Sequence, residues 1–282
     1  MQNNGFSTNK TWNVRGRLID FSTPKVMGIL NVTPDSFYDG NRYNDLHAAI
    51  KQAEKMVKDG ADMIDVGGYS SRPGADDISP DEETLRVLDI IKAITKELPG
   101  VLISIDTFRS FVAAKALDAG AGIINDITGG DHDPGLRKLA IAHRAPYIIM
   151  HMRGTPKDMT KLTVYDNVTK DVLTELQKKV YDYSLEGLTD VAIDAGFGFA
   201  KNVDQNFEML RDLEAFQIIK KPLLVGISRK SMIWRTLGVT PDEALNGTTA
   251  LNMVALMKGA DILRVHDVKE AMECVKLYRR IG

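Results

Sequence analysis

The sequence predicts an α/β protein made of a single (β/α)8 barrel, in which eight parallel strands alternate with helices. Three observations predict this fold: eight short apolar runs, helical stretches between successive runs, and glycine-containing junctions just before several runs. The length of 282 residues fits one such barrel, because barrels of this kind are commonly about 250 residues long.

The eight apolar runs are the predicted strands. Continuous apolar runs without regular polar alternation are typical of strands buried on both faces, as in a parallel sheet covered by helices. In chain order the runs are residues 26–30, 63–66, 102–105, 123–124, 147–150, 191–193, 223–225 and 262–265. We therefore predict a barrel over residues 25–282 and an N-terminal extension, residues 1–24, that packs on it.

Helix boundaries between the runs support the alternation. Ser79 and Thr240 each precede a proline and stand three residues before a glutamate, the pattern of a capped helix start. Gly60, Gly120 and Gly259 each lie just before a predicted strand, where glycine can take the left-handed conformation that ends a helix. An open doubly wound sheet is the alternative, but the sequence lacks its glycine-rich phosphate-binding pattern after the first strand.

Composition excludes several classes of partner. The net charge is only -2, and basic residues are interspersed with acidic ones, so no basic face for nucleic acid is expected. The first twelve residues lack the apolar core of a secretory signal, and no apolar run reaches membrane-spanning length. We therefore expect a cytoplasmic protein without membrane partners, in which the single cysteine, Cys274, is a packing residue.

Polar side chains end or follow nearly every predicted strand. Barrel enzymes work from the carboxyl ends of their strands, so these side chains are expected to line one ligand site. The loops of residues 33–40 and 69–75, after the first two strands, are predicted to gate it. The polar residues are Asn31, Arg72, Asp106, Asn125, Asp126, His151, Asp194, Ser228, Lys230, Arg264 and His266.

Seven segments resemble the dihydropteroate synthase family, in that family's order, from about Lys25 to the end of the chain. They are residues 27–37 (MGILNVTPDSF), 70–74 (SSRPG), 104–107 (SIDT), 124–127 (INDI), 150–152 (MHM), 226–231 (GISRKS) and 264–267 (RVHD). The resemblance implies an alkyl-transferring enzyme of folate biosynthesis, a family that is the target of sulfonamides. Its reaction condenses 4-aminobenzoate with 7,8-dihydropterin-6-ylmethyl diphosphate to give 7,8-dihydropteroate and diphosphate.

The resemblance implies a pterin subsite of polar and apolar residues. Carboxylates and an amide suit the amide-and-amine edge of a pterin, and a lysine can donate to its ring acceptors. The implied set is Asp106, Asn125, Ile127, Met150, Asp194, Phe199 and Lys230. Asp106 and Lys230, together with Asp35, are implied to be catalytic.

Two further subsites follow from the same resemblance. The diphosphate is expected at Asn31, Arg72, Arg264 and His266, with Mg²⁺ bound to Asn31, since this ion takes few protein ligands and completes its shell with phosphate and water. The 4-aminobenzoate is expected at Phe37, Ser71, Pro73 and Ser231, with its carboxylate near the helix start after Lys230. Family members form homodimers, and a homodimer is expected here.

The family's reaction implies a dissociative displacement, in which diphosphate leaves before the amine attacks. The enzyme then acts by electrostatics, because Mg²⁺, Arg264 and His266 hold the leaving anion while Asp106 faces the cation. At three places the sequence departs from the residues that are usual in the family: Tyr69-Ser70-Ser71, Tyr38 and Ala195. These differences are expected to change the affinity for substrates and the sensitivity to drugs more than the reaction.

Three other functions are compatible with the sequence. A pterin-dependent methyltransferase shares the barrel, an aldolase would use Lys230 to form a Schiff base, and a non-catalytic pterin-binding barrel needs no turnover. Diphosphate release that requires both substrates and Mg²⁺ separates all of them from the expected synthase.

Overall fold

The structure is a computed structural model that describes residues 10–32, 42–70, 76–155 and 158–281. A short antiparallel hairpin comes first, formed by β1 (Thr11–Val14) and β2 (Arg17–Asp20). Eight parallel strands follow and close into a barrel in chain order. They are β3 (Lys25–Asn31), β4 (Met63–Gly67), β5 (Leu102–Asp106), β6 (Ile123–Asp126), β7 (Tyr147–Met150), β8 (Val191–Asp194), β9 (Leu223–Val225) and β10 (Ile262–Val265).

The predicted (β/α)8 barrel is confirmed. The last strand, β10, pairs with β9 on one side and with β3 on the other, which closes the sheet. Each of the eight apolar runs is a strand, and several of these strands continue by one or two residues into the polar positions at their carboxyl ends. This continuation places the polar side chains on rigid backbone at one end of the barrel.

Helices cover the outside of the barrel. Their bounds are α1 (Arg42–Asp59), α2 (Pro80–Glu97), α3 (Ser110–Ala119), α4 (Gly135–His143), α5 (Val168–Leu185), α6 (Val203–Arg211), α7 (Ser231–Leu237), α8 (Leu245–Met257) and α9 (Val268–Ile281). Two 3₁₀ helices, Met159–Lys161 and Leu213–Ile219, precede α5 and follow α6. No helix within the described ranges is long and apolar enough to cross a membrane.

The two predicted capped helix starts have different outcomes. Ser79 caps α2 as predicted, since its hydroxyl accepts a hydrogen bond from the Glu82 amide at 3.1 Å. The prediction for Thr240 is wrong, because α8 begins only at Leu245. The Glu243 carboxylate accepts from both the amide and the hydroxyl of Thr240, so this pattern closes a separate turn ahead of the helix.

The glycine junctions are confirmed as helix ends. Gly60, Gly120 and Gly259 all have positive φ angles, between 89° and 125°. At Gly120 the neighbouring helix adds a second requirement, because a Cβ there would lie 2.2 Å from the Thr95 hydroxyl. Glycine therefore lets α3 end close against α2 before the chain enters β6.

The amino end of the barrel is closed by the hairpin. Trp12 is buried, packs edge-on against Phe21 and donates from its indole nitrogen to the Val191 carbonyl at 3.3 Å. These rings share one apolar cluster with the innermost side chains of the strands: Met27, Met63, Ile123, Ile148, Ala192, Leu224 and Ile262. The division of the chain into an extension, residues 1–24, and a barrel, residues 25–282, stays a prediction.

A larger cluster lies between the strands and the helices. Side chains at alternate strand positions, such as Ile64 and Val66 on β4, face outward and are fully buried under the helices. Cys274 on α9 is buried in this cluster, and its thiol contacts the Thr249 carbonyl of α8 at 3.5 Å. It is thus a packing residue, as predicted.

Candidate active site

The middle of the barrel interior is polar. Side chains that face inward from neighbouring strands lie in layers across a barrel. Above the apolar base, the next inward positions on four strands carry Asp65, Ser104, Asn125 and Arg264. In the register of the sheet, Asp65 on β4 lies beside Ser104 on β5, and Asp106 on β5 lies beside Asn125 on β6. Four strands therefore direct polar groups into one interior space.

A hydrogen-bonded network joins three of the predicted site residues. Asp65 is fully buried, and its Oδ2 accepts from Asn125 Nδ2 at 2.8 Å and from Arg264 Nε at 2.6 Å. Arg264 also donates through a terminal guanidinium nitrogen to Asp106 Oδ2 at 2.6 Å. Asp106, Asn125 and Arg264, which are far apart in the sequence, thus share one partly buried cluster.

Sequence reasoning missed Asp65. It was counted within the apolar run 63–66, although a carboxylate in the middle of a buried strand is unusual unless it is paired. The available signal was its position two residues after Met63, which places the two side chains on the same face of the strand.

Burial sets the charge state of this cluster. It raises the pKa of Asp106 from 3.8 to about 7, against the opposing effect of the Arg264 guanidinium, and the Asp65 carboxylate adds to the increase. The carboxylates of Asp65 and Asp106 in turn hold the pKa of Arg264 above its usual value, against the effect of its burial. Asp106 can therefore change its charge near neutral pH, while Arg264 remains a cation.

Asp194, at the end of β8, and Lys230, after β9, carry opposite charges that influence each other's pKa. Burial raises the pKa of Asp194, and the Lys230 ammonium opposes this change. Burial also lowers the pKa of Lys230 to about 8, with Asp194 opposing it. Asp194 accepts from the Gly196 amide at 2.8 Å, and Lys230 donates to the Phe197 carbonyl.

An apolar surface lies beside these charges. Ile127, Met150 and Phe199, predicted to line a flat ring, belong to one cluster with Phe108, Met152, Met159 and Ala200. The Lys230 ammonium lies 4.8 Å from the centre of the Phe199 ring. Tyr69, one of the departures noted above, packs edge-on against Phe108 in this cluster, with ring centres 4.9 Å apart. The site therefore combines an apolar cluster with nearby hydrogen-bonding groups.

A buried lysine supports the loop after β8. Lys201 donates to the carbonyls of Gly196 at 3.0 Å and Phe199 at 2.9 Å, and lies 3.1 Å from His151 Nδ1. Burial lowers the pKa of Lys201 to about 7 and that of His151 to about 4. A neutral His151 whose Nδ1 accepts from Lys201 has its proton on Nε2, 3.0 Å from Glu175. Lys201 thus fixes the loop that carries Phe199, a role that the sequence pattern did not reveal.

Asn31 and His266 lie at the mouth. Gly67 stands between Asn31 and Asp106 in the sheet, and a Cβ there would lie 3.6 Å from Asp106 Oδ2 and 3.7 Å from Asn31 Oδ1. The two oxygens therefore lie on either side of the same position of β4. His266 directly follows β10, and its Nδ1 atom lies 3.0 Å from the Ser228 hydroxyl oxygen.

The remaining predicted residues have varied outcomes. Ser231 is the first residue of α7, directly after Lys230. The expectation that Asp126 lines the site is wrong, because its side chain faces outward and accepts from Tyr147, Thr128 and Gly130 behind β6. Five predicted site residues lie outside the described residues: Asp35, Phe37, Ser71, Arg72 and Pro73. Two departure positions, Tyr38 and Ser71, lie there too.

The barrel and its interior layer of carboxylates and amide define a pterin-binding enzyme. Residues 27–266 match the family model described as "Pterin binding enzyme". The dihydropteroate synthase of Escherichia coli (strain K12) is 43% identical over 265 residues, which cover 93% of each chain.

Solved structures agree with the sequence comparison. The Yersinia pestis dihydropteroate synthase in a sulfonamide drug complex is 39% identical with a TM-score of 0.89, covering 96% of this chain and 98% of that one. The Xanthomonas albilineans dihydropteroate synthase with 4-aminobenzoic acid is 34% identical with a TM-score of 0.90, covering 97% and 98%. The chain belongs to the dihydropteroate synthase family, enzymes of folate biosynthesis that transfer an alkyl group.

Proposed function

We propose that this enzyme joins 4-aminobenzoate to 7,8-dihydropterin-6-ylmethyl diphosphate within the buried polar layer of its barrel. The observation that carries the proposal is the linkage of Asp106, Asn125 and Arg264 through Asp65. It sets groups that suit a pterin edge directly beside a cation that suits a phosphate. One substrate that contains both parts fits this arrangement.

The pterin ring is proposed to lie on the apolar surface of Ile127, Met150 and Phe199. Its amide and amine hydrogens would be accepted by Asp106, Asn125 and Asp194. Lys230 would donate to a ring acceptor, and its lowered pKa and partly buried position mean that its ammonium is stabilised by any acceptor that enters.

The diphosphate is proposed to bind at Asn31, Arg72, Arg264 and His266. Arg264 now donates to Asp106 at 2.6 Å, and a diphosphate would offer its guanidinium a stronger bidentate acceptor. When a terminal nitrogen of Arg264 donates to the anion instead, the Asp106 carboxylate becomes available to the pterin.

Mg²⁺ is proposed to bind Asn31. Within residues 10–32, 42–70, 76–155 and 158–281, no group of three or more His, Cys, Asp or Glu side chains is placed to hold a metal. The Asn31 amide oxygen beside Gly67 nevertheless fits an ion that prefers oxygen ligands and needs few of them from protein. When bound, Mg²⁺ would neutralise charge that develops on the departing diphosphate.

Bond breaking is proposed to come first. The bond between the pterin methylene carbon and the diphosphate oxygen breaks, and its electron pair leaves with the diphosphate, held by Arg264 and His266. Asp106 stabilises the positive charge spread over the pterin. Asp35 is proposed to take part in catalysis from the first loop.

The amine then completes the reaction. Its nitrogen lone pair forms the new bond to the methylene carbon, and the resulting ammonium gives one proton to water or to the released diphosphate. Phe37, Ser71, Pro73 and Ser231 are proposed to hold the 4-aminobenzoate. Because arylamines are neutral near pH 7, no strong base is required to prepare the nucleophile.

The test is diphosphate release by the purified enzyme with each substrate and Mg²⁺ omitted in turn. We expect release only when all three are present. Asp106→Ala should fold but lose at least about a hundredfold in turnover, about 2.7 kcal/mol, whereas Asp118→Ala on the exposed face of α3 should not. Absence of release from the wild-type enzyme contradicts the proposed reaction. Near-normal turnover of folded Asp106→Ala removes Asp106 from the mechanism.

We further propose that the enzyme works as a homodimer in the cytoplasm. The support is that Leu237, Met257 and Leu277, on the last three helices, expose more than half of their surface. A second copy could cover such side chains. Its proposed partners are otherwise the two small substrates, without nucleic acid or membrane.

A further inference from the structure

Asp65 has a role in the barrel interior that rests on the function proposed above for that interior. Asp65 lies in the middle of β4 and has no exposed surface, so it cannot contact a substrate in this geometry. Its Oδ2 contacts two residues that have different tasks in the proposed reaction: Asn125 at the pterin and Arg264 at the diphosphate.

The first contact determines which end of the Asn125 amide meets the ligand. Oδ2 of Asp65 already receives Arg264 Nε, which can only donate, so Oδ2 acts as an acceptor. Only the amide nitrogen of Asn125 can therefore face it. The amide oxygen must point away from Asp65, which makes Asn125 an acceptor for ligand N–H groups.

The second contact determines the direction of Arg264. A guanidinium is planar, so a hydrogen bond at Nε fixes the plane and hence the direction of its two terminal nitrogens. With Nε held at 2.6 Å by Asp65, the terminal nitrogens extend toward Asp106 at the mouth. This is also the direction from which an anion would enter.

Asp65 lowers the stability of the fold locally, which argues against a purely structural role. Its Oδ1 and the Ser104 hydroxyl are buried without a hydrogen-bond partner in the part of the chain that the structure describes. A buried carboxylate oxygen in that state destabilises the folded protein. Violations of local packing rules of this kind are expected at functional sites.

We infer that Asp65 is a positioning residue that orients Asn125 toward the pterin and Arg264 toward the diphosphate through a single oxygen atom. It couples the two halves of the site, because a shift of its carboxylate moves a group in each subsite. It does so without contacting either half of the substrate.

Asp65→Asn tests the charge of this residue while retaining its shape. The amide oxygen can still accept from Asn125 and Arg264, and the new amide N–H groups replace Oδ1 beside Ser104, the paired residue on β5. We expect a normally folded enzyme whose kcat/KM for the pterin diphosphate falls at least about tenfold, because a neutral amide oxygen is a weaker acceptor than a carboxylate and holds Asn125 and Arg264 less firmly in position. Asp118→Asn on the exposed face of α3 is the control and should stay within about twofold of wild type.

The pH profile separates positioning from structure. The Asp65 carboxylate helps to raise the pKa of Asp106, so its removal should shift the acid limb of kcat/KM to lower pH. A residue that only supports the fold would lower the amount of active enzyme and leave the profile in place. An unshifted profile, or kcat/KM within about twofold of wild type, overturns the inference.

A second measurement covers the case in which Asp65→Asn does not fold. In a neutron structure of the wild-type enzyme with bound dihydropteroate, which locates the amide hydrogens directly, Asn125 Nδ2 should remain within about 3.2 Å of Asp65 while its oxygen faces the ring. An amide that meets the ring through its nitrogen overturns the inference. Failure of wild type to release diphosphate would instead contradict the proposed function, so the two failures are distinguishable.

Discussion

Replacing Asp106 by asparagine should stabilise the fold at alkaline pH while it abolishes activity. Asparagine has nearly the same shape and keeps an acceptor for Arg264, but it carries no charge. Arg264 retains its second carboxylate, Asp65, at 2.6 Å. The substitution therefore removes a buried negative charge without leaving the guanidinium unpaired.

The magnitude follows from the pKa of Asp106. Burial raises that pKa from 3.8 in the unfolded chain to about 7 in the folded protein. Between these values the folded state binds a proton that the unfolded state has lost, so the free energy of unfolding falls as the pH rises. A difference of about three pKa units at about 1.4 kcal/mol each sets a ceiling of about 4 kcal/mol. This loss is complete above pH 7 and absent below the unfolded pKa.

Urea unfolding of Asp106→Asn and wild type at a series of pH values measures this effect. At about pH 8 we expect the variant to be more stable by at least about 1 kcal/mol and by no more than about 4 kcal/mol. The difference should shrink toward zero as the pH falls to about 4. Asp118→Asn on the exposed face of α3 serves as the control and should show no such pH-dependent gain.

Two results would refute this reasoning. A stability difference that stays constant from about pH 4 to about pH 8 would mean that Asp106 does not titrate as a buried carboxyl. A variant less stable than wild type at the alkaline end would mean that the ion pair with Arg264 outweighs the burial of Asp106.

Two further substitutions test the supports of the site. Lys201→Met leaves the carbonyls of Gly196 and Phe199 without their donor. The KM for the pterin diphosphate, measured by steady-state kinetics, should therefore rise at least about fivefold. An unchanged KM would contradict the role of Lys201 in fixing this loop. Tyr147→Phe removes a buried donor to Asp126 behind β6 and should lower the free energy of unfolding by about 1–3 kcal/mol with turnover retained. A large loss of turnover there would place Asp126 in the site after all.

The sequence predicts the fold well because the barrel repeats one local pattern. Each strand is a short apolar run, and parallel strands place their carboxyl ends on the same side. The meeting of Asp106, Asn125 and Arg264 follows from that geometry without knowledge of any side-chain contact. The apolar set of Ile127, Met150 and Phe199 meets in the same way.

What escaped prediction depends on side-chain direction rather than on strand position. Asp126 and Asn125 are neighbours in the sequence, yet one faces the helices and the other faces the interior. Short runs do not show which of two alternate residues points inward, so Asp126 was misplaced and Asp65 was overlooked. Lys201 follows a loop that turns back on itself, and its contacts with Gly196, Phe199 and His151 have no periodic signal.

The altered pKa values of Asp106 and Lys230 have a common physical cause. Both groups are held away from water with incomplete compensation, so burial raises the pKa of one and lowers that of the other. A pterin supplies N–H donors to the carboxylate and ring acceptors to the ammonium, and a diphosphate supplies the counter-charge for Arg264. Binding of the substrate would therefore offset the unfavourable free energy of burying Asp106 and Lys230 in the unliganded barrel. The apolar cluster around Trp12 stabilises the fold in the absence of substrate. A substitution that stabilises the free protein by removing such a charge, as Asp106→Asn should, is therefore expected to lower the affinity for the pterin.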